Sequence, residues 1–258
     1  MNRFILFMCF WSSIATAAPL HVLIDPGHGG KDHGAVRGTV READIALQVS
    51  HRLAELLKKN DNFRVNLTRD RDTTVSLNHR SEMAEQLNAG VLISIHVNSN
   101  EETHLSGPEF YFQSVLPADE YAQFLANREN RVEENDTVEN KTETMAERLS
   151  IREDIENILR DLQHNYRIKL SGELVKALHY RWYGPSHSHL HTVKQAPFYV
   201  LTQSTAPSVL IELGYISNPQ EAQMLAKASF QQQAAEHIYN ALTSFKETLD
   251  KSRARRLN

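Results

Sequence analysis

The sequence predicts an α/β domain built on a mostly parallel, roughly six-stranded sheet flanked by helices. Three observations carry that expectation. Short apolar runs closed by turn residues recur along the chain. Stretches with apolar residues at helical spacing separate them. The two kinds of segment alternate, which is the pattern of parallel sheets covered on both faces. With 258 residues, 41% of them hydrophobic, the chain has the apolar material for such a core.

Taken in order, Leu20-His21-Val22-Leu23-Ile24-Asp25 is an apolar run stopped by Pro26-Gly27, a strand meeting a turn. From Glu42, the residues Ile45, Val49, Leu53 and Leu56 recur at helical spacing to about Lys59. Phe63 to Leu67 is the second strand. Leu77 to Ala89 is a second helix, with Leu77, Ala84 and Leu87 on one side. Val91 to Ile95 and Glu109 to Gln113 are the third and fourth strands. Ala196 to Leu201 and Val209 to Leu213 supply the last two. Two helices close the chain: Pro219 to Lys227, with Asn218 as its cap and Pro219 in its first turn, and Phe230 to Leu249.

One stretch breaks the rhythm. Residues 118–183 are long, helical in propensity and without a strand signal. From Ala118 to Gln163 there are 13 acids and 6 bases. The formal charge of -4 therefore hides a slightly basic body and an acidic insert. Within that insert, Glu133 to Thr144 is nearly all polar and reads as a linker. The tail 251–258 is basic and reads as a frayed, solvated end.

The N-terminus follows another logic. Arg3, the apolar run Phe4 to Trp11 and Ala15-Thr16-Ala17 form the three parts of a secretory signal peptide over residues 1–17. Residues 18–250 are then the exported domain. The single cysteine, Cys9, lies in the signal segment, so a disulfide framework is excluded. No apolar run reaches the roughly 18 residues of a membrane span. A near-neutral charge balance gives no case for nucleic acid.

Four polar residues stand where buried elements end or begin. His28 follows the first strand, His96 ends the third, Glu212 lies in the last and Glu42 opens the first helix. In open α/β sheets ligands bind outside the carboxyl ends of the strands. A carboxylate inside an apolar strand is costly unless it is paired or bound to a metal, which singles out Glu212. Two histidines and one carboxylate suffice for a catalytic zinc, and a second carboxylate can carry the proton. Asn98 and Arg80 are candidates for orienting the site or touching substrate. The alternating His187, His189 and His191 read as a polar loop, and Trp182 and Tyr183 as core aromatics ending a helix.

The motifs Ile24-Asp25-Pro26-Gly27-His28-Gly29-Gly30-Lys31-Asp32, Arg41-Glu42-Ala43-Asp44, Leu67-Thr68-Arg69-Asp70, Leu77-Asn78-His79-Arg80, Ser94-Ile95-His96-Val97-Asn98 and Ile211-Glu212-Leu213-Gly214-Tyr215-Ile216-Ser217-Asn218-Pro219 stand in this order along the chain. In this the sequence resembles the zinc-dependent N-acetylmuramoyl-L-alanine amidases, which cleave peptide stems from peptidoglycan. The resemblance implies one Zn²⁺ per chain, with His28, Glu42 and His96 as its ligands and Glu212 as the catalytic glutamate. His33 stands where the family often has proline and adds an imidazole nearby. The insert resembles the helical segment that blocks the zinc site in the regulated Gram-negative cell-division amidases. That implies a plugging glutamate, for which Glu129 in Phe124-Leu125-Ala126-Asn127-Arg128-Glu129-Asn130 is the first candidate and Glu120, Glu133 and Glu134 the others. It also implies a periplasmic monomer awaiting a LytM-type activator protein. A zinc peptidase cutting within the stem would use the same chemistry and differ only in its products.

Overall fold

In the computed structural model, which describes residues 18–113, 120–130, 151–184 and 192–257, the strands are as follows. β1 (Leu20–Pro26) is followed by the two-residue pair β2 (Val36–Arg37) and β3 (Val40–Arg41), then by β4 (Phe63–Leu67) and β5 (Val91–Asn98). β6 (Glu109–Gln113), β7 (Val193–Ala196) and β8 (Ser208–Tyr215) complete the set. Six of them form one sheet in the order β4-β1-β5-β8-β6-β7. Strands β4, β1, β5 and β8 are parallel; β6 runs antiparallel to β8 and parallel to β7. The helices are α1 (Glu42–Lys58), α2 (Leu77–Gln86), α3 (Glu120–Asn130), α4 (Ile151–Tyr183), α5 (Tyr199–Thr202), α6 (Pro219–Leu225) and α7 (Ala228–Leu257).

Side chains alternate across a strand, and the two faces of this sheet are used differently. Val22, Ile24, Ile93, Ile95, Val97, Val209, Ile211 and Leu213 face α1, α4 and α7 in one continuous apolar layer. Leu23, Leu92 and Leu210 face the other way, with Ala84, Leu125, Ala126 and Phe198 from the helices beyond. On that second face the strands turn polar toward their carboxyl ends: Asp25 follows Leu23, Ser94 and His96 follow Leu92, and Glu212 follows Leu210. The large core therefore fixes the sheet from behind while the front edge is free to carry chemistry.

The expected element order holds, with four differences. The stretch Ala196 to Leu201 is not a strand. Its ladder with β6 runs earlier, over Val193–Ala196, and Pro197, which has no N–H to donate, ends it; Tyr199–Thr202 then coils into α5. Helix α2 stops at Gln86 rather than Ala89, because Asn88 adopts a left-handed φ of 50°. The tail does not fray at 251: α7 continues to Leu257 through residues with no helix breaker among them. The insert is not an appendage over its whole length. Leu174, Val175 and Leu178 of α4 are buried in the main core, so the second half of α4 belongs to the body. The signal segment 1–17, the linker Glu133 to Thr144 and the histidines 187, 189 and 191 lie outside the described residues. Among those described, no helix is long and apolar enough to cross a membrane.

Asp25 pins the front edge. Its carboxylate accepts from Thr68 Oγ1 at 2.7 Å, Ser94 Oγ at 2.8 Å and Arg80 Nη1 at 2.6 Å, joining β1 to the end of β4, to β5 and to α2. Burial pushes this carboxyl up, but the Arg80 guanidinium and the two hydroxyls outweigh it and hold the group below its ordinary value. Stability from this bond set is present above the unfolded aspartate value of about 3.9 and is lost as the pH falls through the lower folded value.

Two outcomes follow. Asp25→Asn leaves the buried Arg80 without its counterion and costs about 3–5 kcal/mol near neutral pH. Its unfolding free energy also falls less steeply than wild type below pH ~4, as denaturant titrations across pH would read. Leu174→Ala costs about 2–5 kcal/mol, whereas Leu162→Ala, on the 61% exposed side of α4, stays within about 0.5 kcal/mol. Equal small losses at both positions would mean that α4 is not part of the core.

Candidate metal and catalytic site

Three parallel strands deliver the site. β8 runs parallel to β5, with His96 directly opposite Glu212, and the loop leaving β1 brings His28 beside them. His28 has a left-handed φ of 57°, and Gly29 and Gly30 continue the turn with positive φ. Two glycines are required by close approach. A Cβ on Gly27 would lie 2.5 Å from the His96 ring, and one on Gly34 would lie 2.6 Å from both Glu42 Oε2 and His28 Cδ2. Glu42 sits in the first turn of α1, where a negative side chain favours the helix dipole.

The polar atoms converge closely. His28 Nε2 is 3.1 Å from Glu42 Oε1 and 3.2 Å from Glu129 Oε2. His96 Nδ1 is 3.1 Å from the same Glu42 oxygen and 3.7 Å from the same Glu129 oxygen. One donor atom each from His28, His96 and Glu129 lies within 4.8 Å of the other two. The expected ligand pair of histidines is thus joined by Glu42 and also by Glu129. Each carboxylate is anchored by separate donors, Glu42 from outside its helix and Glu129 from its own. Glu42 accepts from Val97 N at 2.9 Å and, through Oε2, from Ala35 N at 2.8 Å. Glu129 Oε1 accepts from Arg128 Nη2 at 2.9 Å, leaving Oε2 turned to the imidazoles.

Asp32 is a site residue that the spacing argument missed, although the opening motif contains it. Its Oδ2 lies 2.6 Å from His28 Nδ1, which orients the ring so that Nε2 points into the cluster. The i,i+4 spacing of histidine and aspartate in a glycine-rich turn is the signal that could have found it. His33, by contrast, is exposed and touches the site only through its carbonyl, which accepts from Ala43 N. Glu120 is exposed at the start of α3, and Glu133 and Glu134 lie outside the described residues.

The electrostatics are those of a crowded, dry cluster. Burial works against a charged His28, but Glu42, Asp32 and Glu129 outweigh it and raise the imidazole well above its ordinary value. Burial raises Glu42, and the two histidines more than reverse this, holding it well below the usual carboxylate range. Glu129 is lowered in the same way, chiefly by His28. Glu212 goes the other way: burial, with Glu42 and Glu129 beside it, raises its carboxyl well above that range. It is 1% exposed, and neither oxygen has a hydrogen-bond partner.

The donor set fits a metal ion. His28 Nε2 is buried and, despite two carboxylate oxygens within 3.2 Å, is aligned with no hydrogen-bond partner. Nitrogen and oxygen donors spaced at 3.1–3.7 Å match a shared ion with bonds of about 2.0–2.2 Å. A cavity of about 490 Å³ adjoins the cluster, bounded by His28, His96, Glu129, Lys31, Phe198 and Tyr199.

Arg80 lines that cavity, but its guanidinium is engaged by the fold; Asn98 does not line it. Arg80 is buried and donates to Asp25, Pro26 O, Val75 O and His28 O. Asn98 is buried between Glu109, Ser99 N and the Tyr121 hydroxyl. Trp182 packs edge-on to Phe110 and against His237, partly buried against the core rather than inside it.

Comparison with known proteins agrees with this geometry. Residues 22–244 match the family model described as N-acetylmuramoyl-L-alanine amidase. The chain is 32% identical over 240 residues to N-acetylmuramoyl-L-alanine amidase AmiA of Salmonella typhimurium, covering 90% of this chain and 78% of that protein. It is 30% identical to N-acetylmuramoyl-L-alanine amidase AmiC of Escherichia coli O6:H1 over 88% of this chain, and spans about half, 53%, of that longer relative. Among solved structures, the catalytic domain of CwlV from Bacillus (Paenibacillus) polymyxa var. colistinus superposes with a TM-score of 0.58 at 26% identity, covering 88% of this chain and 98% of that one. AmiC2 of Nostoc punctiforme gives 0.59 at 26% identity, with 88% and 97% covered. With that family model matched over residues 22–244 and a relative 32% identical over 90% of its length, the chain belongs to the N-acetylmuramoyl-L-alanine amidase family.

Proposed function

We propose that the protein hydrolyses the amide between the lactyl group of N-acetylmuramic acid and L-alanine in peptidoglycan, serving wall remodelling and daughter-cell separation. The observation that carries this reading is the meeting of His28, Glu42, His96 and Glu212 at one edge of parallel strands in a chain of this family. His28, Glu42 and His96 would hold one Zn²⁺, which when bound supplies Lewis acidity to the amide carbonyl and the attacking water. Asp32 keeps the His28 ring in place, and Gly27 leaves room for the His96 ring. Glu212 takes a proton from the water as its oxygen adds to the carbonyl carbon. It returns that proton to the alanine nitrogen as the carbon–nitrogen bond breaks. Its buried position, with no competing hydrogen bond, suits a group that must accept and release a proton in turn.

The same reading makes α3 an autoinhibitory element. Glu129 Oε2 stands within 3.7 Å of both imidazoles, in a position that a water or a substrate oxygen would need. Arg128 holds its other oxygen and also donates to Ser99 O at 2.9 Å, so the plug is tied to the end of β5. Activation then requires a partner that withdraws α3; a LytM-type activator acting on a periplasmic monomer fits. Ile158, Leu159 and Leu162 on the outer side of α4 form an exposed apolar ridge for such a contact. Export by the 1–17 segment places the enzyme with its substrate, and the domain then spans residues 18–250 with residues 118–183 as its regulatory insert.

Digestion of purified peptidoglycan followed by mass analysis of the muropeptides tests both parts. Release of intact stem peptides from N-acetylmuramic acid is expected; products cut within the stem would contradict the assigned bond. Glu129→Ala raises the basal rate above that of the intact protein, and an unchanged rate from a folded variant would sink the plug. In that background, Glu212→Gln lowers the rate by roughly 10²–10⁴ with zinc still bound. Near-normal turnover would remove Glu212 from its role.

A further inference from the structure

Arg69 follows β4 at the carboxyl edge of the sheet and is 3% exposed. Its Nε donates to Pro26 O at 3.0 Å and its Nη1 to Arg71 O at 3.1 Å. Its Nη2 donates to Gly27 O at 2.7 Å and to Ala43 O at 2.9 Å. Four of the five N–H donors of a guanidinium are thus spent on backbone carbonyls. Among the described residues its hydrogen bonds go to no carboxylate. Burial and the nearby Arg80 lower this guanidinium to about 10. Asp25, Asp72 and Asp44 favour its charge from nearby, but a buried cation whose hydrogen bonds go to carbonyls is still an expensive way to fill space, since an apolar side chain of similar volume carries no desolvation cost.

What the bonds connect is more specific than packing. Gly27 precedes His28, and Ala43 follows Glu42. One nitrogen of Arg69 therefore ties the loop that carries an imidazole to the helix turn that carries a carboxylate. Arg80 adds Pro26 O at 2.7 Å and His28 O at 2.7 Å. Three successive carbonyls, of Pro26, Gly27 and His28, are bonded by guanidinium groups, so the loop cannot rotate without losing charge-assisted bonds.

We propose that Arg69 is a positioning residue for the metal cluster: its guanidinium sets the separation between the His28 loop and the Glu42 helix start, and so the gap between His28 Nε2 and Glu42 Oε1. This rests on the zinc reading of the site. Lysine is the informative replacement, because it keeps the charge but ends in a single nitrogen that cannot span the fork.

The test is zinc affinity by chelator competition on full-length wild type, Arg69→Lys and Leu174→Ala. The visible spectra of the cobalt-substituted proteins and the melting midpoints of the metal-stripped ones accompany it. Arg69→Lys should bind zinc about 10–100-fold more weakly and shift the cobalt spectrum. Leu174→Ala, in the apolar layer on the opposite face of the sheet, should lower the midpoint and leave affinity and spectrum unchanged. Wild-type affinity and spectrum in folded Arg69→Lys overturn the proposal, as does an equal loss of affinity in Leu174→Ala. Failure of both Arg69→Lys and Arg69→Gln to fold also overturns it, since the guanidinium would then be a requirement of the fold itself. A wild-type protein that binds no zinc overturns instead the reading of the site on which the proposal rests.

Discussion

Two carboxylates, of Glu42 and Glu129, are buried against two imidazoles at one edge of the sheet, and a third, of Glu212, is buried on the strand position opposite His96. Few arrangements are less favourable without a cation to share. With no cation among them, burial and the neighbouring carboxylates raise Glu212, the carboxylates raise His28 against its burial, and the histidines lower Glu42 and Glu129 against theirs. The rest of the front face serves to hold these groups where they repel. Strands β1, β5 and β8 supply parallel backbones with fixed register. Asp25, Arg69 and Arg80 lock the loop between them, and Asp32 orients the ring of His28. The apolar layer formed with α1, α4 and α7 provides the stability against which that cost is set.

The two helices of the insert do different work. The second half of α4 is core and cannot leave without unfolding the body. Helix α3 buries only Ala122, Leu125 and Ala126 as apolar residues. Its polar ties are Tyr121 to Asn98, Arg128 to Ser99, and Asn130 to Pro197 O and Tyr199 N. A helix held mainly by a few hydrogen bonds and one carboxylate at the cluster is suited to reversible release. The packing difference follows the composition: α3 lies in the acidic stretch that ends at Gln163, whereas the buried second half of α4 carries Arg167, Lys169, Lys176 and Arg181 against the single acid Glu173.

Much of this was legible in the sequence. Buried parallel strands announce themselves as unbroken apolar runs, so β1, β5 and β8 were plain, and the histidines and glutamates at their ends stood out against that background. Asn218 with Pro219 marked the start of α6 for a local reason, a side-chain cap, that needs no tertiary context. The misses have tertiary causes. β7 is a four-residue edge strand, Val-Lys-Gln-Ala, half exposed and without an apolar run to betray it. Tyr199–Thr202 has strand-like composition, but Pro197 breaks the ladder before it. Arg80 and Asn98 read from the sequence as groups that orient the site or touch substrate, and Arg69 stood in a motif without a role of its own. Only the fold shows them spent on buried carboxylates and carbonyls.

The central claim is that the cluster holds a zinc ion and that Glu129 occupies the remaining donor position. Anomalous diffraction at the zinc edge from crystals of the full chain tests it most directly. The account predicts one strong peak bounded by His28 Nε2, His96 Nδ1 and the carboxylates of Glu42 and Glu129. A peak elsewhere, or none in zinc-loaded crystals, would contradict it.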